Sequence, residues 1–188
     1  MAPVGIFFAS HRAEELLSGA REASVSTHGG SLAIAAAAAT AAAVSAAIDG
    51  ASPHNVLELA GCAAAEAERR WRGHAAPAFA DAVRTVHHNL RRLTALRAAE
   101  IAPLSFPNHP LTIVPLALGL ATVTESAEEA ILLAANIGGD SDSVASIAGG
   151  ILGAMYPITV NDQWYRVVER VNDHDLVAVA TEMAQLRH

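Results

Sequence analysis

Asn136-Ile137-Gly138-Gly139-Asp140-Ser141-Asp142-Ser143, with the small-residue run Val144 to Met155 behind it, decides how this 188-residue chain is read. An aliphatic stretch ends at Asn136, and the glycines that follow permit backbone that other residues adopt only with strain. Asp140 or Ser141 is placed to cap the next helix by accepting hydrogen bonds from its free N–H groups. Asp140, Asp142 and Ser143 put carboxylates and a hydroxyl close together, and hard oxygen donors of this kind suit Mg²⁺ or Mn²⁺ better than zinc. The same side chains also serve as plain caps at the positive end of a helix dipole, with no metal involved. Ala145, Ala148, Gly149 and Gly153 recur at three- and four-residue steps, a face bare enough for another helix to approach closely.

Outward from this stretch the pattern stays helical. Ser126 to Glu129 has the spacing of a capping box ahead of a helix Ala130 to Ile137. Leu111 to Ala121 predicts an apolar helix with Pro115 in its first turn. Ile101 to Pro110 carries three prolines and predicts a loop. Phe79, Val83, Val86, Leu90, Leu93 and Leu96 give the clearest helical period, over Pro77 to about Arg97. His87 and His88 are adjacent, so they point apart, lack the spacing of a helical zinc pair and are expected at the surface or rim. His11 to Glu22 predicts an amphipathic helix, and Ser31 to Ile48 a buried alanine helix stopped by Gly50. Pro53 opens a helix with the stripe Val56, Leu59, Ala60, Ala63 and Ala67, ending near Arg69, Arg70, Arg72 and Gly73. At the other end, Gln163 to Val171 and Asp175 to Leu186 predict short helices packed through Trp164, Val168 and Val171 and through Val179, Met183 and Leu186. The expected fold is all-α, a single compact helical domain over residues 1–188.

Composition narrows the function. The chain is 52% hydrophobic but only 4% aromatic, so its core is built from Ala, Val, Leu and Ile. A net charge of −7 argues against nucleic acid as a partner, because phosphate affinity needs a basic surface. The arginines around Trp71 read as a solvated helix end with one packed indole. Cys62 is the sole cysteine, which leaves no intrachain disulfide and no cysteine metal site, and fits a cytoplasmic protein. Met1 to Gly5 lacks the basic region and apolar run of a targeting segment. The alanine helix is nearly long enough to span a bilayer, yet alanine contributes little transfer energy and Thr40 and Ser45 interrupt it, so no membrane role is expected.

Residues 136–143, and the run to Gly153-Ala154-Met155-Tyr156, resemble the carboxyl-terminal signature of the ADP-ribosylglycohydrolase family, the all-helical group that includes the dinitrogenase reductase-activating glycohydrolases and a jellyfish crystallin. The Glu128 to Asn136 lead-in is similar too. So is the turn Thr27-His28-Gly29, which in the family borders the active-site cleft. Pro3-Val4-Gly5-Ile6 resembles a stretch that family members carry in mid-chain, which implies that this chain corresponds to the carboxyl-terminal part of the family fold.

The resemblance implies a magnesium-dependent hydrolase of the N- or O-glycosidic bond to ADP-ribose or a related nucleotide sugar. It implies Asp140, Asp142 and Ser143 as ligands of one or two Mg²⁺ or Mn²⁺ ions, and His28, Gly138, Gly139 and Ser141 beside the substrate. No catalytic acid or base is assigned. The family's amino-terminal acidic motifs have no counterpart here, so the site is expected to be completed by a second copy or by a partner supplying the missing half. Asp49, Asp81 and Glu125 are the remaining acids considered for convergence on it. Apolar surface along the alanine helix and Pro3 to Ala9 is the expected reason for oligomerisation. Two other readings stay open: a non-catalytic helical interaction or crystallin-like protein, and a Mg²⁺-dependent biosynthetic enzyme acting on an anionic substrate of the diphosphate type.

Overall fold

Alanine is the best helix former and adds almost no bulk, so a run of it can be helix and core at once. In the computed structural model, which describes residues 1–71 and 79–187, helix α3 (Ser31–Ile48) is both, with fourteen of its eighteen residues buried. Before it come α1 (Ala2–Phe7) and α2 (Ala13–Val25). After it come α4 (Pro53–Trp71), α5 (Phe79–Arg91), α6 (Ala98–Ile101), α7 (Pro110–Val123), α8 (Ala127–Ala135), α9 (Ser141–Met155), α10 (Asp162–Asn172) and α11 (Leu176–Leu186). The described residues contain no strand, as an all-α chain requires. Helices α1, α2, α4, α7 and α9 lie against α3, while α5 packs on α7 and α8 on α9. Gly50 ends α3 at φ +79, and Ser126 Oγ accepts from the Glu129 N–H at the start of α8, 3.2 Å away.

Several expectations change in detail. The apolar segment at residues 3–9, to which the sequence pattern assigned no element, is mostly helix, α1. In α4 the buried stripe is Val56, Leu57, Ala60, Ala64 and Ala67. Leu59 is 41% exposed because the helix turns a different side to α3. Helix α5 ends at Arg91, six residues early, and its expected start at Pro77 lies outside the described residues, as do Arg72 and Gly73. The expected loop from Ile101 contains the end of α6 and a 3₁₀ turn, Ala102–Ser105. Pro110, not Pro115, occupies the first turn of α7. Arg70 pairs with both Glu14 and Glu66, and Arg21 stacks 5.7 Å from the Trp71 ring, so this corner is an ion-paired helix end.

The largest correction concerns where apolar surface is left. Helix α3 is buried from Ile34 to Ala47, and α1 lies against it. By contrast α10 and α11 contain no buried residue, so Trp164, Val168, Val171, Val179 and Leu186 do not pack as their spacing implied. The end of α11 is tied down through Arg187. Its guanidinium donates to the carbonyls of Gly5 (2.8 Å), Ile6 (2.6 Å) and Phe8 (3.1 Å) and to the Asp49 carboxylate (2.7 Å).

Candidate functional site

The turn between α8 and α9 needs its glycines. Gly138 and Gly139 hold φ values of +77 and +65. A Cβ on Gly139 would fall 2.9 Å from Asn108 Oδ1 and 3.2 Å from the Ser105 carbonyl oxygen. The turn is therefore pressed against the loop before α7, and this contact fixes where α9 begins.

Asp140 occupies the position before α9, but at φ −84 and ψ 56 it makes no capping bond. An extended residue there would aim its side chain back over the free N–H groups. The observed ψ aims it elsewhere. Neither Asp140 nor Ser141 is the expected cap; Asp140 instead lines a cleft of about 340 Å³ between the end of α2 and the first turns of α3, α7 and α9. Polar groups from distant parts of the chain meet there: Ser24, Thr27, His28, Thr40, Asp140 and Ser143, above an apolar wall that includes Ile113, Val114 and Ile147.

Of the sequence-predicted residues, His28, Asp140 and Ser143 thus share one cleft. Asp142 is exposed beside it. Its carboxyl is held below the ordinary value by a hydrogen bond with the Asp140 side chain, then by the backbone N–H groups of Ser143 and of Asp142 itself. Gly138, Gly139 and Ser141 shape the turn but are not among the lining residues. His28 Nδ1 lies 3.0 Å from Thr27 Oγ1, which orients the ring. Thr40 was read only as an interruption of the alanine run. Its hydroxyl donates to the Ala36 carbonyl oxygen at 2.9 Å, a backbone bond that keeps a polar residue tolerable mid-helix at the cleft wall. Being the lone hydroxyl among the alanines of residues 33–43 was the available signal.

Two carboxyl groups two residues apart at one turn repel when both are ionised, unless a cation or a proton offsets their charge. With the Ser143 hydroxyl adjacent, they suit one Mg²⁺ that keeps most of its water shell. Among the described residues, no group of three or more His, Cys, Asp or Glu side chains gathers where a metal could sit. Two carboxylates and one hydroxyl are too few donors to offset the charge of two ions. The other acids considered are elsewhere: Asp49 accepts from the Ser10 N–H at 2.8 Å and from Arg187, Asp81 pairs with Arg84, and Glu125 does not line the cleft.

Comparison with known proteins extends over the whole chain. A protein of Escherichia coli (strain K12) described as uncharacterized protein YegU is 24% identical over 192 residues, covering 100% of this chain and 58% of that protein. The chain thus spans under two thirds of the length of this relative. The family model of the ADP-ribosylglycohydrolases matches residues 1–188, including both the Thr27-His28 turn and the Asp140 turn that the cleft brings together. By that match the chain belongs to the ADP-ribosylglycohydrolase family.

Proposed function

We propose that the cleft between α2, α3, α7 and α9 holds an ADP-ribosyl group or a related nucleotide sugar for Mg²⁺-dependent hydrolysis of its N- or O-glycosidic bond. The observation that carries this reading is the meeting of His28 with Asp140 and Ser143 in one cleft, within a chain matched throughout by the family model. Asp140 and Asp142 would hold one ion, with Ser143 as a neutral donor. Bound there, Mg²⁺ supplies positive charge that orients sugar hydroxyls and lowers the pKa of a coordinated water. Thr27 sets the direction of the His28 ring at the cleft mouth. The apolar wall of Ile113, Val114 and Ile147 offers a dry surface to the non-polar faces of a nucleotide sugar. Further carboxylates, for a second ion or for acid–base work, come in this reading from another polypeptide or a second copy.

The small donor set favours one competing reading, a non-catalytic helical protein that retains the cleft without turnover. Calorimetric titration with Mg²⁺, alone and then with ADP-ribose, separates the two. Binding that disappears in Asp140→Ala, and turnover that disappears in Asp142→Ala with helicity unchanged, are the expected results. Heats indifferent to Asp140→Ala would sink the site, and Mg²⁺ and ADP-ribose binding without any turnover would favour the scaffold.

A further inference from the structure

We propose that the pit between α2, α3 and α4 is a binding site for a small uncharged apolar molecule, the size of one substituted aromatic ring or a six-carbon chain. Helices α2 and α4 both pack on α3, and between them they leave a cavity of about 200 Å³. Its floor is Leu16 and Leu17 of α2 and Ala42 of α3, all buried. Nearer the mouth stand Ala13 and Ala63, whose single methyl groups do not reach across, and Leu59, whose exposure comes from facing this space. A cavity of about 150 Å³ with an aliphatic lining takes up benzene. This one is somewhat larger and lined in the same way.

The chemistry of the occupant follows from the polar groups at the edge, Ser10, Glu14 and Glu66. Each is already engaged. Ser10 bonds to the Asp49 carboxylate, its N–H at 2.8 Å. Arg70 bridges Glu14 of α2 to Glu66 of α4, and Glu66 also pairs with Arg69. The pit therefore offers no unpaired charge to a charged ligand, and burying one there has nothing to offset its desolvation. The same edge favours a free molecule over the side chain of a protein partner. A polypeptide seated across the mouth would have to desolvate the Glu14–Arg70–Glu66 ion pairs, whereas a free molecule fills the pit and leaves them in water. At 100° per residue, Ala42 lies on the side of α3 opposite Ala36, Ala37 and Thr40, which line the cleft. The inference therefore stands apart from the reading of that cleft.

Titration of the 188-residue chain with benzene tests it, followed by thermal unfolding and by methyl NMR. Benzene at ten times its dissociation constant should raise the unfolding midpoint by about 3 to 6 °C. Ring-current shifts should saturate on the methyls of Leu16, Leu17 and Leu59 and spare Leu176 and Leu186, which are exposed on α11. Ala63→Leu should abolish both effects by filling the pit, without lowering the midpoint of the unliganded protein. Ala13→Leu, from the facing wall, should act alike. Benzoate, nearly the same size but charged, should bind at least about tenfold more weakly. Shifts that do not saturate, or that appear equally on α11, would overturn the site, as would a midpoint rise that persists in both leucine variants. Benzoate binding as tightly as benzene would overturn the class of ligand.

Discussion

His87 shows how little a single residue's setting can be read from its neighbours in sequence. Its Nδ1 lies 2.9 Å from Thr122 Oγ1, and that hydroxyl already donates to the Gly119 carbonyl oxygen. The imidazole must therefore supply the hydrogen. Burial pushes its pKa below the ordinary 6.5, and Arg91, His54 and His88 push the same way. The folded chain thus takes up this proton less readily than the unfolded chain. The stability tied to neutral His87 is complete above the unfolded pKa and falls as pH drops from there toward the depressed folded value. Thermal unfolding followed through this interval should show a decline that is shallower in His87→Gln; identical pH profiles would refute the assignment. The sequence placed both adjacent histidines at the surface or rim. His88 is exposed, but His87 is half-buried on α7. The choice between them depends on the register of α5 against α7, which neither helix encodes alone. Asp140 was legible as a turn carboxylate for the opposite reason: glycines, acid and hydroxyl are contiguous there. Its failure to cap rests on a single backbone angle.

At the scale of the element, the small-residue face of α9 was legible from spacing, and its use is specific. A Cβ on Gly149 would meet Ile131 of α8 at 2.8 Å, whereas one on Gly150 would meet nothing within 4 Å. Gly149→Val should therefore destabilise by about 2 kcal/mol through overpacking. Gly150→Ala should stabilise by about 0.5 to 1 kcal/mol, because it removes only the helix penalty of glycine. Urea midpoints of the two variants check both signs, and equal shifts would contradict the close α8–α9 contact. The amphipathic pattern of α10 and α11 was equally clear, yet it was misread as internal packing. Periodicity tells which side of a helix seeks cover; it does not tell whether the cover belongs to the same molecule.

For the whole molecule, alanine abundance and scarce aromatics gave the helical class. The cleft was another matter, because it joins residues 24–40 to residues 140–147 and no local pattern spans that distance; only the resemblance linked the two turns. The uneven burial of the bundle makes a further prediction. Amides of α3 should exchange with solvent only through global unfolding. Those of α10 and α11, in dilute solution, should exchange at least about a hundredfold faster, since little internal packing opposes their opening. Hydrogen exchange resolved by mass spectrometry measures this directly, and uniform protection would contradict the packing described. Helix α3 also carries a mechanical consequence. Residues 35–39 and 41–43 are alanines buried between the cleft on one side and α4 on the other. Alanine has no side-chain torsion to relax, so this wall cannot yield by changing rotamers. Pressure on either surface must be borne by the backbone as a rigid displacement of the whole rod, felt undiminished on its far side.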